Sequence, residues 1–273
     1  MPTAHTGAVE LYYETFGAEA DPTLILVNGL GGQCINFPAE WCERFASYGY
    51  QVVRFDNRDT GWSSKLDGVD YLLWDMALDV VAVLDAIGVD RAHVLGVSMG
   101  GMIAQSVAIA HPERVRSMTS VMAHTGEEAY GRSSPAALAA LNAPPPASRA
   151  EFIEGRVEAL AICGSKPEWI DEAEVRALAA ESYDRCFCPE GRARQLRAIQ
   201  QSGDRGDLLP NVRVPTLVMH GSRDTLVDPS GGRRTAELIP GARYVEIVGM
   251  GHDTPRALWD RWIEEWRSVA RSA

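Results

Sequence analysis

The reading of the chain turns on His93-Val94-Leu95-Gly96-Val97-Ser98-Met99-Gly100-Gly101, an apolar run that breaks into Gly-x-Ser-x-Gly. The run reads as a buried strand, and Met99 to Ala110 behind it reads as a helix. A serine at such a junction sits on a tight, strained turn, so its neighbours must be small. Gly96 and Gly100 meet that demand and Gly101 extends the clearance. Ser98 is therefore expected at the C-terminal edge of a sheet and at a helix N-terminus, where free N–H groups and the helix dipole favour a developing anion. In this context the motif marks a nucleophile.

The same alternation extends in both directions. Thr23-Leu24-Ile25-Leu26-Val27 ends in Asn28-Gly29, and Gln51-Val52-Val53-Arg54-Phe55 ends in Asp56; both read as buried parallel strands. Helical patterns cover Pro38–Tyr48 and Asp75–Ile87, the second with Met76, Val80, Val83, Leu84 and Ile87 on one face and Gly88 as its stop. Val9–Phe16 alternates as a half-exposed edge strand would. A strand over Val115–Val121 leads to His124, and there the character changes. Ser133–Arg149 is rich in Ala, Pro and Ser, helices follow around Glu151–Ala161, Asp171–Ser182 and Gly191–Gln201, and no strand pattern appears before Arg205. Strand signals return at Pro215–His220 and Ala242–Ile247, with helices over Pro229–Ile239 and Arg256–Ala270. The expected fold is α/β: a mostly parallel central sheet flanked by helices, its core formed by residues 1–124 and 206–273, with a helical cap over 125–205.

A serine nucleophile needs a base, and the chain has 6 histidines. His5 is near the start, His93 begins the strand that carries Ser98, and His111 closes the following helix. His124 and His220 lie at strand ends and remain candidates for lining the site. His252 follows the last strand in Val248-Gly249-Met250-Gly251-His252, where a glycine-rich loop suits a base that must reach the sheet edge. The orienting carboxylate is expected to be Asp224, just after the strand ending at His220. Asp228 reads as a helix N-cap, and Asp253 projects differently from its neighbour His252. The order Ser98, Asp224, His252 is that of the α/β-hydrolase triad. The oxyanion hole calls for the Met99 N–H and a second donor from Asn28-Gly29-Leu30-Gly31-Gly32, with Leu30 first and Gly29 in reserve. Asn28, His124 and Trp169 are candidate substrate contacts. Trp41, Trp62, Met102, Tyr130 and Tyr183 fit either an apolar pocket or the core.

The chain resembles the α/β-hydrolase superfamily over nearly all its length outside the insert. Asp56-Asn57-Arg58-Asp59-Thr60-Gly61-Trp62-Ser63, Val89 to Gly100, Pro215-Thr216-Leu217-Val218 and Met250-Gly251-His252 are similar to the aclacinomycin methylesterase-like branch. The resemblance implies a Ser-His-Asp carboxylic-ester hydrolase with a helical cap and no cofactor. Asn28-Gly29 departs from the His-Gly that many relatives carry there. The reaction expected is hydrolysis of small to medium, largely apolar esters through an acyl-enzyme on Ser98. Lactone opening (the acyl-homoserine-lactone type included), cofactor-free perhydrolysis and carbon–carbon cleavage use the same triad and stay open. So does a non-catalytic ligand receptor on the same fold. Carboxylate-nucleophile chemistry is excluded by the serine.

Composition agrees with these expectations. The 273 residues are 46% hydrophobic and 23% charged, as in a soluble globular protein. A net charge of −11 disfavours nucleic acid as a partner and makes neutral esters more natural substrates than polyanions. No run is apolar enough to span a membrane, and no secretory signal stands at the start. The 5 cysteines, Cys34, Cys42, Cys163, Cys186 and Cys188, fit no zinc spacing and read as free thiols in a reducing cytoplasm. A homodimer stays open.

Overall fold

The computed structural model describes residues 1–273. Eight strands, β1 (Thr3–Thr6), β2 (Val9–Phe16), β3 (Thr23–Val27), β4 (Gln51–Phe55), β5 (Ala92–Val97), β6 (Val115–Val121), β7 (Thr216–Gly221) and β8 (Arg243–Ile247), make one sheet. Their spatial order is β1-β2-β4-β3-β5-β6-β7-β8. Pairings from β4 to β8 are all parallel, while β1–β2 and β2–β4 are antiparallel. Strands β3, β4 and β5 are buried along their whole length, which is why they read as unbroken apolar runs and not as alternating ones.

The two faces of the sheet carry separate cores, assigned by the two-residue side-chain period. Ile25, Val27, Val53, Phe55 and Val94 face one way, against α2 (Leu73–Ala86) and α3 (Met99–Ala110). Leu24, Leu26, Val52, Leu95 and Val97 face the other, against α1 (Ala39–Ala46) and α9 (Trp259–Ala270). On that second face Trp41 stacks on Trp259 at 5.2 Å and meets Trp262 at 5.5 Å. Trp41 and Met102 are therefore core residues and not pocket lining.

Between β6 and β7 lie α4 (Pro135–Leu141), α5 (Arg149–Cys163), α6 (Glu172–Arg185) and α7 (Pro189–Gln201). This layer is fastened to the core by polar groups. Arg185 pairs with the fully buried Asp56 at 2.7 Å, and Arg194 with the fully buried Asp59 at 2.7 Å. Gln33 donates to the carbonyls of Ser182 and Cys186 at 2.7 and 2.9 Å. The stretch Asp56–Asp59, singled out in the sequence for its resemblance, is thus the seam on which α6 and α7 sit.

Two elements differ from the sequence reading. β1 covers β2, so Val9–Phe16 is not the sheet edge. Its four residues, Thr-Ala-His-Thr, carry no apolar alternation to announce a strand. Helix α4 lies inside the stretch whose Ala, Pro and Ser content hid it. Ser134 accepts from the Ala137 N–H and Pro135 takes the first turn, where its missing donor costs nothing.

Candidate active site

Ser98 stands between β5 and α3 with φ 55° and ψ −122°, a left-handed conformation that non-glycine residues rarely adopt. The strain is held in place by absence of side chains around it. A Cβ on Gly96 would lie 1.9 Å from the Gly100 carbonyl oxygen, and one on Gly100 would lie 2.0 Å from that of Val27. The Ser98 N–H donates to the Val121 carbonyl of the neighbouring strand at 2.8 Å, which ties the turn to the sheet.

Three loops at the C-terminal ends of β5, β7 and β8 converge here. His252 Nε2 lies 2.9 Å from Ser98 Oγ, and its Nδ1 lies 2.6 Å from Asp224 Oδ2. Because a carboxylate only accepts, Nδ1 carries the proton and Nε2 is left to accept from the serine hydroxyl. Asp224 is buried, and its Oδ1 accepts from the N–H groups of Leu226 and Val227, both at 2.9 Å. Burial alone would raise this carboxyl. The charge of His252 and hydrogen bonds from His220 and His252 outweigh it and bring the group down to about 2. His252 is placed from above as well: its N–H donates to the Cys163 carbonyl at the end of α5 at 2.6 Å. Gly251 before it passes so close that a Cβ would lie 2.2 Å from the Gly164 carbonyl carbon.

The loop after β3 reaches the serine from the opposite side. A Cβ on Gly29 would lie 3.1 Å from Ser98 Cβ and 3.7 Å from its Oγ. The N–H groups of Leu30 and Met99 donate to no protein acceptor, as an oxyanion site needs. Gly31 is held by α7: its N–H donates to Gln195 Oε1 at 2.8 Å, while Gln195 Nε2 donates to the Arg58 carbonyl at 2.7 Å.

The other candidates occupy varied places. Asn28 is buried beneath the loop, its carbonyl accepting from Asn57 at 3.0 Å and its Nδ2 without a partner. His124 accepts from the Gly126 N–H at 2.9 Å; burial pushes it down to about 4, with the Arg205 charge adding to the effect. Trp169 packs under the ammonium of Lys166, at 4.2 Å, and against Gly249 in the histidine loop. Asp228 accepts from the Ser230 N–H at 2.9 Å, at the start of α8 (Ser230–Leu238), as a cap would. Asp253 accepts from Ser165 at 2.6 Å, away from His252. His93 is bound to Ser117 at 2.8 Å in the core.

His220 has a place the sequence did not indicate. It is fully buried, with Nε2 2.8 Å from the Val227 carbonyl and 3.3 Å from Asp224 Oδ2, so it backs the carboxylate and does not line the site. Gln195 was also missed: nothing local links it to Gly31, 164 positions away. No three His, Cys, Asp or Glu side chains gather as a metal site would require. An open cleft of about 610 Å³ beside β2 and α6, lined by Trp62 and Arg185 among others, contains none of the candidate catalytic residues.

The family model described as "alpha/beta hydrolase fold" matches residues 22–161. Rhodomycin D methylesterase DauP of Streptomyces sp. (strain C5) is 33% identical, across 92% of this chain and 91% of that one. The chain belongs to the α/β-hydrolase family. A putative carbamate hydrolase, RutD of Azorhizobium caulinodans, is 34% identical to this hydrolase over 92% of its length and 91% of the relative's. Among solved structures, the enol-lactonase of Burkholderia xenovorans LB400 shares the fold at a TM-score of 0.79 and 24% identity, covering 99% of this chain and 100% of that one.

Proposed function

We propose that this hydrolase cleaves carboxylic esters of small molecules through an acyl-enzyme on Ser98. The observation that carries the reading is the continuous hydrogen-bonded line Ser98–His252–Asp224 at the sheet edge. Two methylesterases and several relatives named putative carbamate hydrolases support acyl transfer to water as the reaction class.

In the proposed cycle, the Ser98 hydroxyl attacks the ester carbonyl while His252 Nε2 takes its proton. The imidazolium that forms is stabilised by Asp224, which is ionised and already hydrogen-bonded to Nδ1. The negative oxygen of the tetrahedral intermediate is received by the Leu30 and Met99 N–H groups, with the α3 N-terminus behind it. Collapse expels the alcohol with the proton held on His252. Water then enters, His252 takes one of its protons, and a second tetrahedral intermediate releases the acid and restores the serine. A lactone would open by the same steps. Residues 125–205 act as a cap that shapes access, on a core formed by 1–124 and 206–273. The five free cysteines suit a reducing compartment, the cytoplasm.

The test is hydrolysis of p-nitrophenyl butyrate, with a fluorophosphonate probe read by intact mass. The native protein releases phenolate and gains one probe adduct, located on Ser98; Ser98→Ala does neither. A Ser98→Ala variant as active as native, or an inert native protein that takes no adduct, overturns the reading.

A further inference from the structure

The loop that carries His252 cannot hold itself in place. Gly249, with φ 90°, and Gly251 stand on either side of Met250, so the backbone is permissive on both sides of it. Met250 is buried in the core, and its carbonyl receives the Arg223 N–H at 2.9 Å, which ties that residue to the sheet. The rest of the loop is held from the opposite side, by residues 163–166, where α5 ends.

Hydrogen bonds join the two stretches. The Lys166 N–H donates to the Gly249 carbonyl at 2.8 Å, and the His252 N–H donates to that of Cys163 at 2.6 Å. The others meet on Ser165, which is 3% exposed. Its Oγ accepts from the Gly251 N–H at 3.0 Å. Its hydroxyl donates to Asp253 Oδ1 at 2.6 Å, and its own N–H donates to the same oxygen at 2.9 Å. A carboxylate only accepts, so the hydroxyl proton is committed to Asp253 and a lone pair is left for Gly251. One buried side chain thus grips the residue before His252 and the residue after it.

The carboxylate loop reaches the same place. Thr225, next to Asp224, donates its hydroxyl to the Ile162 carbonyl at 2.9 Å. The last turn of α5 therefore receives donors from both loops that complete the triad. Its carbonyls carry the negative end of the helix dipole, and His252, which turns positive in the proposed cycle, is bonded to one of them. The line Ser98–His252–Asp224 needs this support, because a displacement of about 1 Å at a reacting group costs on the order of a hundredfold in rate.

We propose that Ser165, with Asp253 as its partner, is a positioning residue for the base: it fixes the loop that carries His252 onto the end of α5. The helical layer then takes part in the chemistry as well as in access. This rests on the ester-hydrolase reading above, in which His252 is the base.

The test measures hydrolysis of p-nitrophenyl acetate, butyrate and octanoate. Competent sites are counted by fluorophosphonate labelling taken to completion, so that unfolded protein does not enter kcat. Ser165→Ala lowers kcat by about ten- to a hundredfold and changes KM little. The factor is the same for all three esters, because Ser165 is buried and acts through His252. Asp253→Ala gives a loss of the same size, and the two changes together cost no more than either alone, as for groups that act as one unit. Asp253→Asn keeps an oxygen for Ser165 and stays within about threefold of native, less than one hydrogen bond is worth. Ser148→Ala, which removes the N-cap at the far end of α5, leaves kcat unchanged. A spectroscopic readout accompanies these. The downfield proton line of His252 Nδ1–H, absent from His252→Gln, is sharp in the native protein, broadened in Ser165→Ala and sharp again in Asp253→Asn. A Ser165→Ala variant as fast as native, a loss that changes with acyl length as a substrate contact would make it, or an Asp253→Asn variant as slow as Asp253→Ala overturns the assignment. If Ser165→Ala does not fold, the two Asp253 variants read the same joint from the loop side. Failure of the ester reading looks different: the native protein then hydrolyses none of the esters and Ser98 takes no probe, and the proton line alone decides whether Ser165 fixes His252.

Discussion

Helices α3 and α5 are of similar length and are held in opposite ways. Every residue of α3 from Met99 to Ala108 is buried, pressed between the sheet and α2. No residue of α5 is fully buried. The sheet edge places its reactive atoms through backbone: glycines that admit no Cβ, strand ends in fixed register, N–H groups aimed by a helix start. The cap is positioned by charged and amide side chains that meet partners far away in sequence, Arg185 on Asp56, Arg194 on Asp59 and Gln195 on Gly31. In the cycle proposed above the chemistry therefore sits on the close-packed sheet edge, and the proposed cap is a layer whose attachment is polar.

The contrast can be broken most directly at the sheet edge. Asp224→Asn keeps the side-chain shape but no longer fixes the Nδ1–H tautomer of His252. The expected loss in kcat for p-nitrophenyl butyrate is about ten-thousand-fold, with the circular dichroism spectrum unchanged. A loss under tenfold would sink the assigned role of the carboxylate. Next in size is the seam. Arg194→Met strands Asp59 without its partner in the interior, and urea unfolding should show a loss of about 3–5 kcal/mol. Arg149→Met breaks the exposed pair with Asp184 and should cost under about 1 kcal/mol. Equal losses in the two variants would mean that the buried seam is not what fastens the cap.

Acid should act on the core before it reaches the triad carboxylate. Burial holds His93 and His124 down near 4. The unfolded chain, with ordinary histidines near 6.5, then binds more protons than the folded one as pH falls. Stability is lost between about pH 6.5 and 4, by up to about 3 kcal/mol per histidine, and levels off below. Asp224, lowered to about 2, contributes stability that is complete above the ordinary carboxylate value and disappears only as pH falls through 2, outside that window. His93→Gln should flatten the fall in unfolding free energy measured by urea titration between pH 7 and 4.5; an unaltered slope would remove His93 as a cause. The smaller effect on activity belongs to the joint between cap and sheet edge. Gln195→Met removes the acceptor of the Gly31 N–H, and kcat should fall about tenfold while KM changes little, because the misplaced donors serve the transition state. A change in KM alone would make Gln195 a packing residue.

The sequence made the candidate catalytic side of the molecule legible for the same physical reason that it is closely packed. Gly96, Gly100 and Gly251 mark places where backbone approaches backbone, and such demands can be met by one residue type, so they show locally. The strands before Ser98 and Asp224, β5 and β7, are buried along their whole length and appear as largely apolar runs, while β8 before His252 is partly exposed and its loop glycines carry the signal. β1 was hidden because two threonines, an alanine and a histidine have no pattern to display, and its pairing with β2 supplies what the residues do not. Gln195 was illegible for another reason: its partner Gly31 lies 164 positions away, a distance that no local spacing records. His220 is only four residues from Asp224, but its burial against that carboxylate shows in the fold alone.

The open packing of α5 has an evolutionary consequence. A helix without a fully buried side chain opens smaller cavities when its residues are exchanged than a core helix does, so the cavity cost that restrains substitution in a core weighs less along its length. Its inner face can drift, or be rewritten by a designer, while the serine, histidine and aspartate remain where the sheet puts them. A library randomised at Phe152 and Ala159 would therefore retain folded members in large number and, under the cap reading proposed above, differ among them in what they accept.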